Sequence, residues 1–348
     1  MNGSPHPTAR RGRLVALVVG ALAVVVACSS PGPTPAVTSP APGPSTAASP
    51  TPTPADTSVT SPLTGEKVPA LAPVLVVKIG NTPPERPPIG LEAADVVYVE
   101  MVEGGLTRYA AVFSSELPER VGPVRSARET DIELLGQYGA VGLAFSGAES
   151  SVVSKLRRSS LQLVSFDASI QGFRRDRSRG PAPYNVVGTT AALLKRADNA
   201  AVAHDVGFRF GEAPPGGQRA ASMSARYSAA RVGATWDAGS GRWLMSMDGR
   251  ASVAANGARL GAPTVIVQYV TETTLGRRDA AGSRVPFAKT VGAGAAVVLR
   301  DGMSYDARWS RSSAGAPTTW TFAGAPMPLA AGPVWVLLVP ANRPVQLR

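Results

Sequence analysis

Short apolar runs, separated by glycine, proline and charged turns, set the rhythm of the chain from about position 63 onward. Pro73-Val74-Leu75-Val76-Val77-Lys78-Ile79 is a nearly continuous apolar strand, the pattern of a strand covered on both faces. Val96, Val97, Tyr98, Val99 and Met101 predict a second strand, and Tyr109 to Phe113 a third. Between these two, Glu103-Gly104-Gly105-Leu106-Thr107-Arg108 makes a tight connection in which Gly-Gly supplies the positive φ that other residues resist. Ala140 to Phe145 is a further buried strand. Helical patterns lie between the strands: a short turn over Gly90 to Ala94, a helix after Gly122-Pro123 carrying Arg125 and Arg128 on neighbouring faces, one over Val152 to Leu156, and a long one in TTAALLKRADNAAVAHD that ends near His204.

From about Ala220 the rhythm changes to short strands with glycine turns. Ala234 to Trp236 and Arg242 to Met247 flank Asp237-Ala238-Gly239-Ser240-Gly241 as a hairpin, and Val265–Tyr269, Ala295–Leu299, Ser304–Trp309 and Val334–Val339 supply more strands. Trp243, Trp309, Trp320 and Trp335 fit core or hairpin positions better than a sugar platform. The expected fold is α+β in two domains: an α/β layered N-terminal domain over 63–210 and a mostly antiparallel β domain over 220–348.

The first 62 residues follow a different pattern. Arg10, Arg11 and Arg13 precede an apolar run from Leu14 to Val26, too short for an ordinary membrane span, so residues 1–27 are expected to be a secretory signal. Val25-Val26-Ala27-Cys28 resembles a lipobox, which makes Cys28 the expected lipidation site and attaches the protein to the outer face of the cytoplasmic membrane. The rest of 28–62 is rich in Pro, Ser and Thr and nearly free of large apolar residues. That composition cannot offset its ordering entropy, so the stretch is expected to be a disordered tether.

Composition narrows the chemistry. Cys28 is the only cysteine, which removes disulfides, cysteine-ligated zinc and a cysteine nucleophile from the body. Beyond the leader a single histidine remains, His204, placed at a helix end. The formal charge is +11, and the leader's three arginines with no acid leave +8 for the rest. A basic body tethered outside the membrane attracts anionic wall polymer or phospholipid, while no nucleic acid is expected there.

The densest chemistry lies between Ala93 and Asp131 and in the loop from Gly172 to Asn185. Arg108, Arg125 and Arg128, with Arg174, Arg175 and Arg177, are candidates for holding a phosphate or carboxylate, because a guanidinium offers bidentate donors at fixed charge. Glu103, Thr107, Ser126 and Asp131 are the polar or catalytic candidates. Ser126 lacks a neighbouring base and a nucleophile elbow, and Glu103 can equally pin the hairpin through an ion pair with Arg108 or Arg125. Asn81 and Arg86, on the loop after the first strand, stand second to these.

AADVVYVEMVEGGLTRYAAVFSS followed by GPVRSAR, with the earlier VKIGNTPPERPPIGLEAAD and the later FRRDRSRGPAPYN, resembles the YerB-like bacterial lipoproteins, which carry the domain of unknown function DUF3048. PTVIVQYV, AVVLRDGMSYDARWSR and AGPVWVLLVPA resemble the same family's C-terminal domain. The resemblance implies a two-domain envelope lipoprotein and supplies no activity; Asn185 belongs to its pattern. Three functions remain open on the residues. One is a non-catalytic module that binds an anionic envelope component or a protein partner, with no cofactor. The second is a wall transferase or hydrolase acting on phosphate-linked polymer, with Glu103 or Asp131 holding a divalent metal. The third is an assembly factor whose arginines tie the domains together.

Overall fold

Eleven strands follow one another along the chain into the main sheet: β1 (Leu75–Gly80), β2 (Val96–Met101), β3 (Thr107–Phe113), β4 (Gly142–Phe145), β5 (Gln162–Ser165), β6 (Thr264–Arg278), β7 (Gly292–Arg300), β8 (Met303–Arg311), β9 (Thr319–Phe322), β10 (Ala325–Pro326) and β11 (Val334–Pro340). The computed structural model describes Gly32 and residues 58–279 and 282–348. The expected signal segment, Cys28 and most of the tether lie outside the described residues. Val59–Thr60 already pairs antiparallel with Lys67–Val68.

The spatial order is β10-β9-β8-β7-β6-β11-β2-β3-β1-β4-β5, with Gln218–Arg219 added beside β8 and Arg284–Lys289 beside the outer part of β6. β11 runs parallel to both β6 and β2, so the last long strand of the chain joins the late strands to the early ones. β1 and β3 are buried at every position, as their Val, Ala, Leu and Ile content requires of strands covered on both sides.

The two faces are covered differently. On one, Val76, Tyr98, Ala110 and Val112 pack with Leu134 and Leu135 of α1 (Thr130–Leu135) and with Val152 and Leu156 of α2 (Ser150–Leu156). On the other, Val77, Val97, Tyr109, Val265 and Trp335 pack against Met223, Trp243, Met245 and Met247 of a second, six-stranded antiparallel sheet. The fold is α+β with strands carrying most of it. Trp243, Trp309, Trp320 and Trp335 are all core residues.

Two expected helices differ. Residues 124–127 are extended, and α1 begins only at Thr130. The Arg125 N–H donates to the Lys78 carbonyl at 2.8 Å, the Arg125 carbonyl accepts from Ser146 N–H at 2.9 Å, and Ala127 N–H donates to Gly147 at 3.0 Å. Backbone groups committed to neighbouring strands are not free to close helical turns. The long helix toward His204 shortens to α3 (Thr190–Leu194) for the same reason. Ala201 N–H donates to Ala140, Ala203 N–H to Ala72, and Val74 N–H to the Ala201 carbonyl. His204 sits past this extended stretch, its ring nitrogens 3.1 Å from the Val202 and Gln137 carbonyls.

Candidate anion-binding site

Strand alternation builds the site. Lys78 of β1, Glu100 of β2 and Arg108 of β3 all point to the helix-covered face, and Glu100 stands directly opposite Arg108 in the ladder. The Lys78 Nζ donates to Asp131 Oδ1 at 2.6 Å and is also ion-paired with Glu100; all three side chains are buried. Burial lowers the Lys78 ammonium to about 8, against the opposing pull of Asp131. Asp131 in turn accepts the Arg128 N–H at 2.6 Å through its other oxygen, which fixes the start of α1 above the strand ends.

Two arginines frame this centre. Glu103 Oε2, in the turn between β2 and β3, accepts from Arg128 Nε at 2.9 Å and Nη2 at 2.5 Å. Gly104 and Gly105 in that turn both hold positive φ, near +70°. A Cβ at Gly105 would lie 2.3 Å from Ser228 Cβ, so the turn packs closely against the second sheet. Arg125 is ion-paired with Glu85 and stacks over the Tyr184 ring at 5.0 Å. Glu85 also accepts the Thr82 N–H at 2.6 Å and the Thr82 hydroxyl at 2.7 Å.

Arg108 is the exception. The residue is only 9% exposed, its side chain makes no hydrogen bond or ion pair among the described residues, and its Nη1 is buried without a partner. Burial first, then the charges of Arg128 and Arg125, pull its guanidinium down to about 9, opposed by Glu103 and Glu85. Such a group is still charged at neutral pH.

Arg108, Arg125, Arg128, Glu103 and Asp131 come together. Thr107 points to the opposite face, where its hydroxyl accepts from Asn81 Nδ2 at 2.8 Å. Ser126 packs over Gly147, at which a Cβ would meet its Oγ at 2.8 Å. Arg174 pairs with Asp176 at 3.5 Å, and Arg177 is exposed. Arg175 stacks on Phe166 at 4.9 Å and donates to Asn185 Oδ1 at 3.0 Å, while Asn185 Nδ2 donates to the Gly180 carbonyl at 2.8 Å, so Asn185 holds its own loop closed. That loop reaches Arg125 through Tyr184, and Arg179 donates to the Glu85 carbonyl at 3.2 Å. The sequence reading passed over Lys78 and Glu85, although a lysine inside an apolar strand was a visible signal.

Glu103 and Asp131 thus each hold a cationic side chain, and among the described residues no group of three or more His, Cys, Asp or Glu side chains gathers as a ligand set.

The family model "Protein of unknown function (DUF3048) N-terminal domain" matches residues 60–203, and the DUF3048 C-terminal domain matches residues 223–336. A Bacillus subtilis (strain 168) protein named "Putative lipoprotein YerB" is 45% identical over 85 residues, which cover 23% of this chain and 25% of that protein, about a quarter of its length. The crystal structure of YerB protein from Bacillus subtilis superposes with a TM-score of 0.71 at 20% identity, covering 83% of this chain and 99% of that one, and so shares the fold. With both domain models matched in order along it, the chain belongs to the DUF3048 family.

Proposed function

We propose that the chain is an envelope lipoprotein whose body binds an anionic envelope component at Arg108 without turning it over. The address rests on the arginine-led apolar leader ending at Cys28 and on a relative whose name calls it a lipoprotein. The binding role rests on one observation: a buried, charged guanidinium with no partner, framed by two further arginines. Leaving a buried donor unsatisfied costs about 1–3 kcal/mol, and more for a charged one, a cost that a phosphate or carboxylate oxygen would remove. Arg125 and Arg128 already hold Glu85 and Glu103, so they set the local field and Arg108 supplies the open donors. The carboxylates that a hydrolytic mechanism would need are occupied by Arg128 and Lys78.

The test compares the wild-type chain with Arg108→Met, using inorganic phosphate, a glycerol-phosphate polymer and phosphatidylglycerol vesicles as probes. In the absence of probe the variant should be more stable to unfolding by about 1–3 kcal/mol, because an unsatisfied buried charge is gone. It should lose the saturable response that at least one probe gives with the wild type. An Arg108→Met variant that melts early would assign the arginine to architecture, and a wild type that binds none of the probes would remove the proposal.

A further inference from the structure

The opposite face of the same strands carries a second feature that the arginine cluster does not use. Tyr109, the neighbour of Arg108 on β3, points away from it and lines a cleft of about 270 Å³ between the loop after β1 and the hairpin around Asp248. Pro87, Met247 and Leu260 give the cleft an apolar interior.

The walls are held before any ligand arrives. Arg86 Nη2 donates to the Asn81 carbonyl at 2.7 Å and to Asp248 Oδ2 at 2.7 Å, which ties the loop to the hairpin on one side. The Ala255 N–H donates to the Pro88 carbonyl at 2.8 Å and ties them again on the other. The loop's prolines restrict its backbone further. A preformed, mostly apolar hollow with a few polar groups is the ordinary form of a small-molecule site.

Charge decides the class of occupant. The Arg86 guanidinium at the rim is answered by Asp248. Arg250, also on the rim, is exposed and has no partner among the described residues. Ser252 lines the wall, and its buried hydroxyl makes no hydrogen bond. The site therefore offers apolar contact, one surplus positive charge and an unused hydrogen-bonding group.

We propose that this cleft binds a small organic monoanion: a compact apolar body seated between Tyr109 and Met247 with a carboxylate directed at Arg250. It lies across the sheet from Arg108 and does not depend on the reading of that residue.

The test uses octanoate and, as its uncharged counterpart, octanamide, titrated into the full chain and followed by the methyl resonance of Met247 in the wild type. Octanoate should shift that resonance saturably and bind several-fold more tightly than octanamide. Arg250→Glu should weaken octanoate about fivefold or more and leave octanamide within twofold, since it removes an attraction and adds a repulsion. Ala251→Trp, at an exposed position on the rim, should block both while the melting temperature stays near that of the wild type. No saturable shift with either probe, equal binding of the two, or binding that survives Ala251→Trp each overturns the proposal.

Discussion

A lysine in the middle of a buried strand is costly in isolation, and Lys78 is tolerated because Glu100 and Asp131 meet it. Removing one member of such a set strands the others. Lys78→Met should destabilise the chain by about 3–5 kcal/mol, measured by urea unfolding at neutral pH. The pH dependence carries the same signature. Burial lowers the Lys78 value from 10.5 to about 8, so below pH 8 the group is charged in both states. Above pH 8 the unfolded chain keeps a proton that the folded chain has released, and stability should rise with pH, by up to about 1.4 kcal/mol per unit. The window that reports Lys78 is pH 8 to about 9, before Arg108, lowered to about 9, adds its own early release and the buried tyrosines Tyr98 and Tyr109, whose values burial raises, begin to oppose the rise. In Lys78→Met the rise between pH 8 and 9 should shrink, because the early proton release of Lys78 is gone and only Arg108, lowered to about 9, still contributes. A pH-independent unfolding midpoint in the wild type would refute the assignment. At this scale the sequence was partly legible: the arginines and Glu103 stood out by density, whereas the pairing of Arg128 with Glu103 and of Arg125 with Glu85 required knowing which strands are neighbours.

Among the elements, the loop after β1 shows how a small residue sets a charged one. A Cβ added at Gly80 would lie 2.3 Å from the carboxyl carbon of Glu85, which therefore sits directly over the glycine. Gly80→Ala should displace Glu85, loosen its grip on Arg125 and cost about 1–3 kcal/mol. Because Glu85→Ala removes the same contact, the double variant should be less destabilised than the sum of the single ones; additive losses would show that the two are independent. The arm formed by the outer part of β6 and by Arg284–Lys289 makes a different kind of contact. Arg277 reaches Glu129 at 2.9 Å and Glu149 at 2.6 Å, and Glu133 accepts the Val291 N–H at 2.6 Å. These anchors are partly exposed, so Arg277→Ala should change global stability by less than about 1 kcal/mol. It should nonetheless speed amide exchange over residues 284–289, and unchanged exchange would show that the arm is held by packing alone. Strands were legible here because apolar runs bounded by glycine and proline carry their own signal. The segment at Arg125 was not: its residues suit a helix start, and only the Lys78 carbonyl, past the end of the β1–β4 pairing, and the Ser146 N–H explain why it is extended.

For the whole molecule, the question is whether the two matched segments fold separately. The sequence suggests that they do, since the rhythm changes near Ala220. The contacts run the other way. Each of the two apolar cores draws residues from both segments: Val97 and Tyr109 share one with Trp243 and Trp335, and Tyr98 and Leu134 share the other with Val336 and Trp309. β11 pairs with β2 along Val334 to Leu337, so residues 60–203 without it would expose an apolar strand edge in the middle of a sheet. One cooperative transition follows. All five tryptophans lie at or beyond Trp236, so their fluorescence reports the later segment, while far-ultraviolet circular dichroism reports both. In a urea titration the two signals should give the same midpoint and the same slope. Residues 60–203 expressed alone should lack a cooperative transition, and co-expression with 204–348 should restore it. An early circular-dichroism transition with unchanged tryptophan fluorescence would mean that the N-terminal segment unfolds by itself and that the shared sheet is a docking surface between two independent folds.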